Sequence, residues 1–116
     1  MKMIPKKLAR LAGELALEKK AFDVKILDLR KISTICDYFV ICSGNSDRHV
    51  DAIADGIYDG LKNINIEIKS KPKSNKADWI VFDAGDVVAH IFLKNLREFY
   101  NLEYLWQEAK IVKWDR

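Results

Sequence analysis

The stretch "DYFVICSGNSDRHV" (37–50) constrains the chain more than any other part of it. From Tyr38 to Cys42 it is continuously apolar and rich in β-forming residues. Such a run suits a strand buried on both faces, and hence one at the centre of a sheet. The chain then turns directly into a helix. Ser46 or Asn45 can cap its first free N–H groups, and Asp47 complements the positive end of its dipole. Val50, Ile53, Ala54, Ile57 and Leu61 repeat at helical spacing to form its buried stripe. Gly56 and Gly60 lower the intrinsic propensity of this segment, so packing must hold it.

The remaining elements fit around this unit. Leu8, Leu11, Ala12 and Leu15 fall on one helical face, Pro5 suits a first turn, and a helix is predicted over 5–20. "DVKILDL" (23–29) alternates as a short strand, with Val24, Ile26 and Asp28 opposed to Lys25, Leu27 and Leu29. "INIEIKS" (64–70) alternates cleanly and predicts a strand covered on one side. "KSKPKSNK" (69–76) reads as a solvated loop. "DWIVFD" and "DVVAHIF" form two strands about Ala84-Gly85, where Gly85 can take the positive φ of the turn. "REFYNLEYLWQEA" places Phe99, Leu102, Tyr104, Leu105 and Trp106 at mostly helical spacing, and "KIVKWDR" is an extended tail. The predicted order α-β-β-α-β-β-β-α gives a single α/β domain over 1–116. Its core is a mixed sheet of about five strands flanked by helices.

Composition removes several function classes. The net charge of +3 is weaker than that of a dedicated DNA binder, though compatible with a partner that is partly RNA. Cys36 and Cys42 are too few for a disulfide framework, which points to a reducing compartment. The basic opening runs into the amphipathic "LAGELALEKK", not into a secretory signal. No apolar stretch approaches the roughly 20 residues that span a bilayer. The expectation is a soluble cytoplasmic domain without a membrane partner.

Three kinds of chemistry can be weighed. Cys36, Cys42, His49 and His90 match no zinc spacing, so no metal is expected. Cys42 precedes a helix N-terminus, which can activate a thiol, but no Cys–His pairing is visible. "SGNS" (43–46) could hold a phosphate between strand and helix. A nucleotidyltransferase-like enzyme would use Ser43–Ser46 with Asp83 and Asp86 as metal-binding carboxylates. Against it, Gly85 lies between the two aspartates, and "SGNS" lacks the Lys and glycine spacing of a P-loop. His90 reads either as a satisfied, half-buried histidine or as an exposed contact on the face of an edge strand. The second is attractive beside Asp83 and Asp86, and Trp79, Tyr100, Tyr104 and Trp106 add interface-prone aromatics.

"DYFVICSGNSDRHVDAIAD", "DWIVFDAGDVVAHIF" and "REFYNLEYLW", in this order and spacing, resemble the bacterial ribosomal silencing factors, also called Iojap-like or RsfS proteins. The resemblance runs from Pro5 to Trp106. The family's pattern falls on Asp37 to Asp55, on Trp79, Asp83, Gly85, Asp86, His90 and Phe92, and on Arg97, Phe99, Tyr100, Leu102, Glu103, Leu105 and Trp106. Ala89 replaces a common Val, and Ala84 departs from the larger residue usual before Gly85. The resemblance implies a nucleotidyltransferase-like fold without the active site, no catalysis and no cofactor. It also implies binding to ribosomal protein fourteen of the large subunit, which blocks small-subunit joining and lowers translation under nutrient limitation. The expected docking residues are Trp79, Val81, Asp83, Asp86, His90, Phe92 and Tyr100. Contact of Lys69, Lys71, Lys73 and Lys76 with ribosomal RNA, and a homodimer off the ribosome, are further expectations.

Overall fold

The computed structural model describes residues 3–68 and 78–114. In chain order the elements are α1 (Pro5–Glu18), β1 (Phe22–Asp28), β2 (Tyr38–Gly44) and α2 (Asp47–Asn63). They are followed by β3 (Trp79–Asp83), β4 (Val87–Leu93), α3 (Lys94–Tyr100), α4 (Leu102–Leu105) and β5 (Lys110–Ile111). The five strands form one sheet in the order β3-β4-β2-β1-β5. β2 and β4 are parallel, and every other neighbouring pair is antiparallel. The mixed α/β sheet expected from the sequence is therefore present.

β2 is the central strand, and all seven of its residues are buried. One face of the sheet carries Ile26, Val40, Cys42, Ile80, Phe82, Ala89 and Ile91, packed under α1 and α2. Pro5 opens α1, whose Leu8, Ala9, Ala12 and Ala16 are buried. Ser46 caps α2 by accepting the His49 backbone N–H at 3.1 Å, as the sequence predicts. Gly44 is needed where β2 meets α2. A Cβ there would approach the Val50 backbone nitrogen to 3.1 Å.

Two predicted elements are corrected. The strand expected over 64–70 does not form across 64–68, and residues 69 and 70 lie outside the described residues. Ile64 caps α2, and the Ile66 N–H returns to the Leu61 carbonyl at 3.0 Å. Ile66 and Ile68 pack against the core from this helix exit without joining the sheet. The fifth strand is β5, from the extended tail, paired with Leu27 and Asp28 of β1. The single C-terminal helix is broken at Asn101, whose φ of 49° is left-handed and separates α3 from α4. Asn tolerates that region better than other side chains do.

Candidate functional site

The second face of the sheet is covered unequally. Leu27, Leu29, Phe39 and Ile41 lie beneath Leu102, Trp106 and Ala109 of the C-terminal segment. Toward β3 that cover ends. β3 buries Ile80 and Phe82 on the helical side and turns Trp79, Val81 and Asp83 to the other. Trp79 is 36% exposed and Val81 49%, more than is usual for such residues in a strand. Among the described residues β3 is an edge strand, so this apolar face lies at the margin of the sheet they form.

The register explains what supports it. Trp79 stands opposite Phe92, Val81 opposite His90, and Asp83 opposite Val88. The indole stacks on the fully buried Phe92 ring at 5.0 Å, and Tyr100 closes against it at 4.8 Å. Four of the expected docking residues, Trp79, His90, Phe92 and Tyr100, are thus brought into one aromatic cluster. Val81 is exposed beside it, and Asp83 lies further along the same face.

His90 is not the exposed edge-strand contact that the sequence made attractive. β4 lies between β3 and β2, and His90 is only 6% exposed. Its ring meets Phe39 edge-on at 4.4 Å. The Trp79 indole N–H donates to Nδ1 of His90 at 3.1 Å. An indole can only donate, so Nδ1 is the acceptor and the neutral ring carries its proton on Nε2. Nε2 is buried without a hydrogen-bond partner among the described residues. Burial holds the imidazole neutral, with its pKa lowered to about 4. Phe92 and His90 therefore support the exposed face from below.

The aspartates are turn residues. Asp83 accepts the Gly85 N–H at 2.8 Å, and Gly85 has a φ of +88°. The Asp86 backbone carbonyl accepts the Asp37 and Tyr38 N–H groups at 2.8 and 3.1 Å. That anchors the hairpin tip at the start of β2, whereas "SGNS" lies at its end. From Tyr38 to Ser43 the strand rises roughly 16 Å. Asp83 and Asp86 are not gathered with Ser43–Ser46. The loop's own groups are engaged too: Asn45 N–H donates to Nδ1 of His49 at 2.8 Å, Ser46 caps α2, and Ser43 Oγ accepts from Arg97. His49 Nε2 donates to the Lys19 carbonyl at 2.7 Å, so both its nitrogens tie α2 to neighbouring backbone.

The thiols are buried and unpaired. Burial raises Cys42 to about 12, and burial aided by Asp37 and Asp83 raises Cys36 to about 11. An activated nucleophile needs the opposite shift. Among the described residues, no group of three His, Cys, Asp or Glu side chains could hold a metal. Nor is any helix among them long and apolar enough to cross a membrane. The four lysines of the 69–76 loop lie outside the described residues.

Residue reading did not single out Arg97, which the structure buries at 8% exposure between the sheet and the C-terminal segment. Arg97 donates to Glu103, the Asp23 carbonyl and Ser43. The resemblance had placed Arg97 and Glu103 in one motif, and that spacing was the only available signal.

The family described as "Ribosomal silencing factor during starvation" matches residues 2–116. The chain is 41% identical over 113 residues to the ribosomal silencing factor RsfS of Bacillus subtilis (strain 168), covering 97% of this chain and 96% of that protein. A solved structure from Chromobacterium violaceum is similar with a TM-score of 0.85 at 30% identity, covering 90% of this chain and 88% of the other. Another, from Bacillus halodurans, gives 0.82 at 39% identity, covering 94% and 99%. The sequence match spans both chains almost end to end, and the fold agrees with it: the chain belongs to the ribosomal silencing factor family.

Proposed function

We propose that the protein binds the large ribosomal subunit through ribosomal protein fourteen and sterically blocks its association with the small subunit. Translation is thereby repressed under nutrient limitation, in the cytoplasm and without catalysis. The observation that carries this reading is the exposed Trp79–Val81 face on an edge strand, walled by Tyr100 and backed by buried Phe92 and His90. Large aromatics set in a well-packed surround are the usual anchors of a protein interface. A rigid domain held there acts by occupying space, and it requires neither cofactor nor metal.

Asp83, at the end of the same strand, gives the face an acidic margin suited to a basic ribosomal protein. Lys69, Lys71, Lys73 and Lys76 extend the contact to ribosomal RNA. Off the ribosome, the same apolar face supports a homodimer.

Sucrose-gradient co-sedimentation tests the reading. The protein should migrate with isolated large subunits, and not with small subunits or whole ribosomes. Equal binding to all three would refute it. Changing the four lysines to Ser should weaken large-subunit binding and flatten its salt dependence, because phosphate contacts release counterions. Binding to the isolated ribosomal protein should be unchanged.

A further inference from the structure

Apolar contacts hold α3 and α4 only in part: Leu102 and the flanking Trp106 pack on the sheet, and Tyr100 rests on Trp79. The buried residue of α3 is Arg97, and that of α4 is Leu102. Phe99, Tyr104 and Leu105, by contrast, are 77%, 61% and 71% exposed. A segment that also turns this much apolar surface outward calls for a polar tie beside those contacts. The guanidinium of Arg97 supplies it. Nε donates to Glu103 Oε1 at 2.8 Å, and Nη1 donates to the Asp23 carbonyl at 2.7 Å and to Ser43 Oγ at 2.9 Å. Glu103 Oε2 in turn accepts Lys25 Nζ at 3.2 Å.

Arg97 and its partners span four elements, α3, α4, β1 and β2. Ser43 ends β2. Asp23 lies in the irregular stretch of β1 between Phe22 and Lys25, with a left-handed φ of 50°. Arg97 and Glu103 stand on either side of Asn101, the left-handed residue that separates α3 from α4. Their bond therefore fixes the angle across the break, while the other two fix the pair on the sheet. Hydrogen bonding to Arg97 holds the Glu103 carboxyl below the usual carboxylate range. Tyr100, immediately before the break, is the residue that closes on Trp79.

We propose that Arg97 is the positioning residue of the docking face: by tying α3 and α4 to the ends of β1 and β2, it holds Tyr100 on Trp79 and presents Phe99, Tyr104 and Leu105 to a protein partner. This rests on reading the Trp79–Val81 face as the docking surface, and it adds the outward side chains of the C-terminal segment to that surface. The guanidinium reaches these acceptors from two separate nitrogens of a rigid planar fork, Nε to Glu103 and Nη1 to Asp23 and Ser43, a geometry that the single point-like ammonium of lysine reproduces less well.

Hydrogen–deuterium exchange and large-subunit binding, measured on Arg97→Met and Arg97→Lys, test it. In Arg97→Met, amides of 94–105 should exchange about tenfold faster, while those of β2 and β4 keep the parent's protection. Large-subunit affinity should fall by about tenfold, and Arg97→Lys should lie between parent and Met in both readouts. Parent-like exchange in 94–105, loosening spread equally over β2 and β4, or a loosened segment with parent-like affinity would each overturn the proposal. If Arg97→Met does not fold, Glu103→Gln should show the same selective loosening at about threefold, and its absence there is equally decisive. A parent that fails to bind large subunits would refute the proposed function. In that case the exchange pattern alone still decides whether Arg97 positions the segment.

Discussion

Trp79 and His90 are joined diagonally across the β3–β4 pair. Trp79 faces Phe92 and His90 faces Val81, yet the indole N–H reaches His90 Nδ1 at 3.1 Å. Diagonal neighbours on an antiparallel pair are within reach of aromatic side chains. The bond fixes the indole plane over Phe92 and selects the histidine tautomer. The exposed aromatic is thereby oriented by a buried one.

Trp79→Phe should preserve most of the stacking on Phe92 while removing the only hydrogen-bond donor that Nδ1 has in the described structure. Both nitrogens of a buried imidazole would then lack partners. The expected loss of stability is about 1–2 kcal/mol, measurable as a lower urea midpoint at unchanged slope. An unchanged midpoint would mean that the bond contributes nothing.

Acid should destabilise the protein through His90. In the fold this group stays neutral down to about pH 4, while its ordinary value is 6.5. Between those values the unfolded chain binds more protons than the folded one, so stability rises with pH across the window and falls on acidification. The full effect is up to about 3 kcal/mol. Asp28 and Glu103, both lowered by hydrogen bonds from arginines, lose their contributions only further down, below their ordinary 3.8 and 4.5. Denaturation of His90→Gln between pH 4.5 and 6.5 should therefore show little pH dependence. A slope equal to the parent's would place the titration elsewhere.

Neither thiol should react in the native state. Burial holds Cys42 at about 12 and Cys36 at about 11, so thiolate is scarce at pH 8. Iodoacetamide followed by mass spectrometry should show no labelling of folded protein within minutes and double labelling in denaturant. Rapid alkylation of Cys42 in the fold would reopen nucleophilic chemistry at the β2–α2 junction.

What could be read from the sequence was whatever declared itself locally. The apolar run at 38–42 identifies β2 as central, Ser46 identifies the α2 cap, and Gly85 identifies the hairpin turn. Ile64, Ile66 and Ile68 misled because alternation also describes a chain leaving a helix: Ile64 caps α2 and is exposed, and only Ile66 and Ile68 lie on the core. β5 has two exposed residues, too short for any period to show, and it exists because β1 had a free edge. His90 reads as exposed until the register places β4 inside the sheet. Arg97 reads as a surface charge because the groups that satisfy it, at Asp23 and Ser43, are 74 and 54 residues away in sequence.

The most direct test of the central claim is subunit joining followed by light scattering. Purified large and small subunits are mixed with magnesium in the presence of the protein or of Val81→Glu. Val81 is 49% exposed on the docking face and absent from the buried clusters, so the substitution should leave the fold intact and place a charge at the contact. The parent should suppress joining in proportion to its concentration, and Val81→Glu should suppress it at least about tenfold less effectively. Joining unaffected by the parent, or equal suppression by folded Val81→Glu, would contradict the account.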